Sequence, residues 1–108
     1  MYSELIALLE ATKIPCAERA FNSAPTTGSY LTYQLDGEGD VLWGDNMQLH
    51  QVITGSVDLY CRTKDRTDFN AVQSAFKAWD GSWDLNSIQT EPDNRLIHYE
   101  WTFQMEKI

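Results

Sequence analysis

The side chains suited to chemistry are His50 and His98, Cys16 and Cys61, and the carboxylates Asp36, Glu38, Asp40 and Asp45. Neither histidine belongs to an HxH or HxxxH pair, the spacings that aim two imidazoles at one metal from a single strand or helix. Each sits at a polar position of an alternating stretch. They can share a site, with Glu100 or Asp58, only if their strands are neighbours, and two solvated strand residues is the plainer reading. The acidic set lies in "DGEGDVLWGDN", residues 36 to 46, where carboxylates form or solvate a turn. That stretch lacks the regular ligand spacing and closing bidentate Glu of a calcium loop. It also lacks the apolar surroundings that push one carboxyl's pKa away from another's.

Nucleophile patterns are no stronger. Ser29, Ser56 and Ser74 stand outside a GxSxG setting, and no Gly-rich turn opens a helix to cradle a phosphate. Cys16 and Cys61 have no CxxC spacing and no histidine close in sequence, so they pair only if the fold brings them together. Two reduced, half-buried thiols is the favoured reading, in keeping with synthesis in a cytosol. The expectation is no enzyme, no metal and no cofactor. The rival is a small ligand-binding or hydrolytic α+β domain using His50, His98 and nearby carboxylates.

The elements that would position these residues follow from periodicity. "SELIALLEATK", residues 3 to 13, predicts an amphipathic helix with Ser3 as N-cap and Leu5, Ile6, Leu8 and Leu9 as its stripe. Pro15 ends it, and 15 to 29 form a connector with Phe21 as its anchor on the core. In "NSAPTTGSYLTYQL", turn-forming residues lead straight into an alternating strand. Gly37 and Gly39 suggest a hairpin turn, with Val41 to Trp43 as a short second strand and 36 to 48 as a loop that orders against a partner. Residues 49 to 61 read as the central strand, with a bulge or bend at Gly55. Residues 64 to 81 read as a second helix, capped by Asp65 or Thr67, with Phe69, Val72, Phe76 and Trp79 as its apolar stripe. A weaker strand at 83 to 91 precedes 96 to 105, where Ile97, Tyr99, Trp101, Phe103 and Met105 alternate inward. The sum is one α+β domain over 1–108: an antiparallel sheet of about four to five strands with both helices packed on one face.

Sixteen acidic against eight basic residues leave a net charge of −8. That disfavours a sequence-independent grip on phosphates and an anionic membrane surface. No apolar run approaches the ~20 residues that span a bilayer, and the N-terminal residues do not form a secretion signal.

Four stretches together suggest a family. "IPCAERAF" at 14 to 21, "APTTGSYLTY" at 24 to 33, "WGDN" at 43 to 46 and "VDLYCRTKD" at 57 to 65 resemble the tail completion, tail-terminator or head–tail joining proteins of long-tailed phages and prophages. Family members usually carry a bulky residue and an aromatic where this chain has Cys16 and Glu18. The resemblance implies a structural virion protein forming a homo-oligomeric ring, commonly a hexamer, that ends the tail tube and joins it to the head. Its implied partners are copies of itself, the tail tube protein, head–tail connector proteins, and DNA passing through the lumen without specific binding. Its implied location is the head–tail interface of the virion, with host cytoplasm during assembly. Pro25, Thr26 and Thr27, with Asp36, Glu38, Asp40, Trp43, Asp45 and Asn46, are the expected subunit or tail-protein interface. A negative lumen repels phosphate and lets DNA slide, which suits −8.

Overall fold

A computed structural model describes residues 1–44, 47–92 and 95–106, with 38–44 and 47–51 described by backbone alone. The chain runs α1 (Tyr2–Glu10), β1 (Cys16–Glu18), β2 (Tyr30–Gly44), β3 (Met47–Cys61), α2 (Thr67–Ala78), β4 (Ser82–Glu91) and β5 (Leu96–Met105). The strands form one sheet of five in the order β1-β2-β3-β5-β4. The expected α+β class holds, with both helices over one sheet face. The sheet is mixed, because β1 joins parallel to β2 through Cys16↔Leu31 to Glu18↔Tyr33. A strand of only three residues was too short to show a period in the sequence.

Register puts the core on one face. Leu31, Leu59 and Tyr99 lie side by side across β2, β3 and β5, as do Tyr33, Val57 and Trp101, then Leu35, Gly55 and Phe103. Among the described residues Leu31, Val57, Leu59 and Trp101 are completely buried. α1 covers them with Tyr2, Leu5 and Leu9, and α2 with Phe69, Val72, Ala75 and Phe76. Tyr2 stacks on Phe103 at 6.1 Å, and Phe76 stacks on Trp101 at 5.8 Å.

α1 starts two residues earlier than Ser3 as N-cap suggests: Met1 occupies the cap position and Tyr2 is buried in the core. The Trp79 indole N–H donates to the Met1 carbonyl at 2.8 Å and ties this end to α2. At the other end the Thr12 hydroxyl donates to the Leu9 carbonyl at 2.6 Å, and Lys13 turns left-handed at φ 68°. Those two steps stop the helix before Pro15. α2 begins with Arg66 in the cap position rather than the expected Asp65 or Thr67; Asp65, one residue earlier, accepts from both the Thr67 amide at 2.8 Å and the Thr67 hydroxyl at 2.6 Å.

The hairpin departs most from expectation. β2 does not turn at Gly37 or Gly39 but continues to Gly44, which pairs with Met47. The ladder absorbs irregularities between Leu35 and Gly37, between Glu38 and Val41, and between Leu42 and Trp43. The glycines that suggested a turn therefore serve the bulges, Gly37 at φ 138°. Pairing of β3 with β5 ends at Ile53↔Met105, so the remainder of β2 and β3 projects past the sheet as a two-stranded arm. The principal extents, 53 × 27 × 25 Å, reflect it.

Candidate functional site

β2 has fifteen residues and separates the two parts of the expected interface. At about 3.3 Å per residue it spans about 46 Å. Pro25, Thr26 and Thr27 precede its first residue and lie at the Cys61 end of the sheet, where Tyr30 pairs with Tyr60. Pro25 is half-buried, Thr26 and Thr27 are exposed, and the Pro25 carbonyl accepts from the Arg62 guanidinium at 2.8 Å. Asp36 is exposed at the root of the arm. The backbones of Glu38, Asp40 and Trp43 run within the arm, and their side chains lie outside the described residues, as do Asp45 and Asn46 entirely. The molecule thus carries two distinct surfaces at opposite ends, rather than one.

The sheet face away from the helices, crossed near one edge by the connector between β1 and β2, has an organisation that the sequence did not announce. Phe21 is not an anchor on the core. It meets Tyr30 edge-on at 5.7 Å on this open face, because the connector crosses the sheet on the far side from the helices. Tyr30 stacks on Tyr60 at 4.8 Å, and Tyr60 on His98 at 4.4 Å, a ladder of rings from β2 to β5. These rings stand against each other, so each ring covers its neighbour's face and presents mainly its rim to solvent. Burial pushes the Tyr60 phenol up to about 12, helped by the Asp58 carboxylate. The signal for the ladder was present in sequence as aromatic residues at three outward-facing positions.

His98 Nε2 lies 2.6 Å from Asp58 Oδ1, on the pair of strands that made such a meeting conceivable. Burial raises the Asp58 carboxyl above its ordinary value, against the opposing pull of the His98 hydrogen bond. Glu100 is directly across from Asp58, and its carboxylate accepts from the Asn86 amide at 2.6 Å. His50 does not join them. It pairs with Leu42 in the arm, ten residues along β3 from the Tyr60 that pairs with His98. That interval corresponds to about 33 Å. Among the described residues no three His, Cys, Asp or Glu side chains converge as a metal site.

Both cysteines are free, Cys61 buried and Cys16 half-buried. Burial first, and then the Glu10 carboxylate, push the Cys16 thiol up to about 11. The thiol donates to the Ile14 carbonyl at 3.1 Å. A raised folded-state value means that this group's contribution to stability is fully present below the ordinary thiol value and is lost as pH rises through about 11. Alkylation of native protein by iodoacetamide is accordingly expected to be slow at neutral pH. The Cys16 rate should climb with pH until about 11, measured by mass spectrometry. Rapid labelling at pH 7 in the folded state contradicts the placement of that thiol.

Compared with known proteins, the chain matches no family model and no curated protein sequence.

Proposed function

We propose that this chain is a structural, ring-forming protein of a phage or prophage tail that closes the tail tube and joins it to the head. The observation that carries the proposal is the pair of unlike surfaces at opposite ends of one elongated subunit: a two-stranded arm reaching past the sheet, and the 25–27 segment with Thr26 and Thr27 exposed. A subunit whose two ends differ meets its neighbour head-to-tail, and such contacts close into a ring when the rotation between subunits permits. β4 adds a ten-residue outer strand at one sheet edge, the kind of edge along which another chain can pair. The excess of acidic residues suits a lumen through which DNA passes unheld.

The hydrolytic alternative would place His50 and His98 in one site, but His98 in β5 pairs with Tyr60, ten residues along β3 from His50. The Asp58–His98 pair lacks a nucleophile bonded to it among the described hydrogen bonds.

Tail tubes polymerised from the tube protein of the same phage or prophage provide the test. Added protein is expected to appear as a ring at one tube end by negative-stain microscopy and to stop further growth of the tube. Tubes that elongate unchanged, with no added density at either end, overturn the proposal.

A further inference from the structure

The basic residues are distributed unevenly. No Lys or Arg occurs between Arg19 and Arg62, and that interval contains the acidic arm sequence. Arg62, Lys64 and Arg95 then gather at the opposite end of the molecule, where β3 leaves the sheet and β5 begins. With Thr90, Pro92 and Ile97 they line an open groove of 350 Å³, into which Glu91 also faces. All three cations are exposed. Arg62 donates to the Pro25 carbonyl, and among the described residues no carboxylate lies within ion-pairing distance of Lys64 or Arg95. Of the nearby described acids, Asp65 is held by Thr67, Asp68 sits half-buried in the first turn of α2, and Glu91 lines the groove itself. Arg95 adopts φ 55°, a backbone conformation that glycine or asparagine takes more readily. In a chain with twice as many acids as bases, this groove gathers three cations against the one carboxylate of Glu91 among the described residues, a net positive surface suited to an acidic partner.

We propose that this groove receives the acidic arm of a second copy of the chain, so that Asp36, Glu38 and Asp40 of one subunit lie against Arg62, Lys64 and Arg95 of the next. The proposal rests on the ring-forming reading and names the contact that would make the ring. Charge complementarity selects the occupant. The arm bears carboxylates and no cation, and the groove lies at the other end of the long axis, which forbids a subunit from satisfying itself. The apolar part of the groove, Pro92 and Ile97, gives the arm a surface to bury once charge has oriented it. Contacts of this kind steer association and fix register more than they supply affinity, and salt screens them.

Three proteins test it by native mass spectrometry and light scattering: the wild type, an end variant and an arm variant. The end variant is Lys64→Glu with Arg95→Glu, which keeps the Arg62–Pro25 hydrogen bond; the arm variant is Asp36→Lys, Glu38→Lys and Asp40→Lys. Circular dichroism checks the fold of each. The wild type is expected to self-associate about tenfold more weakly on going from roughly 50 to 500 mM salt, as the screening length falls to a few Å. Each variant alone is expected to lose at least that much. Mixed together, the two variants meet in alternation through contacts of reversed and of wild-type polarity in turn, all complementary, and should assemble again. Wild-type protein that stays monomeric at low salt overturns the proposal, as do folded variants that assemble like wild type or fail to associate when mixed. The tube-end experiment separates this contact from the tail role. Charge variants that still cap tubes as rings remove the contact and leave the role, whereas salt-dependent assembly without capping leaves the contact and removes the role.

Discussion

Trp101→Ala lowers the stability of the fold by about 3–5 kcal/mol, the cost of replacing a large buried ring by a methyl group. Trp101 is completely buried in β5, between Val57 on one neighbouring strand and Leu85 on the other. Its indole stacks on Phe69 at 5.5 Å and on Phe76 at 5.8 Å, so two rings of the α2 stripe, two turns apart, rest on it. Its N–H donates to Gln73 Oε1 at 2.8 Å, and truncation leaves that half-buried amide without its partner. Phe76→Ala falls in the same range, since its ring is also completely buried and touches Trp83 as well. Because Phe76 and Trp101 touch, the double variant should cost less than the two losses added. Against a total of about 5–15 kcal/mol for a domain of this kind, either change removes a large share. Urea denaturation with an unchanged m-value is the measurement. A loss below about 1 kcal/mol for both variants would place the core on the other face of the sheet.

That core was legible because its signal is periodic. The alternation in β5 and the helical spacing of Phe69, Val72, Phe76 and Trp79 each repeat over enough residues to name a face, and all of those positions are buried except Ile97, which is half-buried. Legibility failed where the deciding contact is distant in sequence. Phe21 looks like a core ring from its type, yet its partner is Tyr30 on the open face, and only the path of the connector decides between the two. The arm failed for a related reason. Gly and Asp are the residues of turns and also of bulges, and local composition does not distinguish a reversal at Gly37 from one after Gly44. Once the reversal moves, His50 travels into the arm while His98 remains beside Asp58, and a shared histidine site dissolves. The candidate interface residues were likewise individually visible, but their separation to opposite ends of the molecule required the length of β2.

Gly55→Ala is the second large loss, and it comes from too little space where the first comes from too much. A Cβ at this position would lie 2.3 Å from Phe103 Cζ and 2.5 Å from the Gln34 carbonyl oxygen. The sequence suggests a bulge or bend at this glycine, but its ladder to β5 is regular, and the neighbouring irregularity belongs to β2 after Leu35. Glycine is required here for the close approach of a ring and a backbone, not for an unusual φ. Phe103 cannot simply swing aside. It is 1% exposed, stacked on Tyr2 at 6.1 Å and met edge-on by Trp79 at 5.5 Å. The Gln34 oxygen is main chain in β2, opposite Ser56, so relieving that contact means moving a strand. Overpacking of this kind costs about 1–3 kcal/mol, and a clash that involves backbone belongs at the top of that range or above it. Phe103→Leu alone should be destabilising. Combined with Gly55→Ala it should cost less than the sum, because the smaller side chain vacates the space that the new methyl needs. Chemical denaturation of the wild type, both single variants and the double variant measures that coupling. Simple additivity, or a Gly55→Ala protein within about 0.5 kcal/mol of wild type, would show that Phe103 does not lie over this glycine.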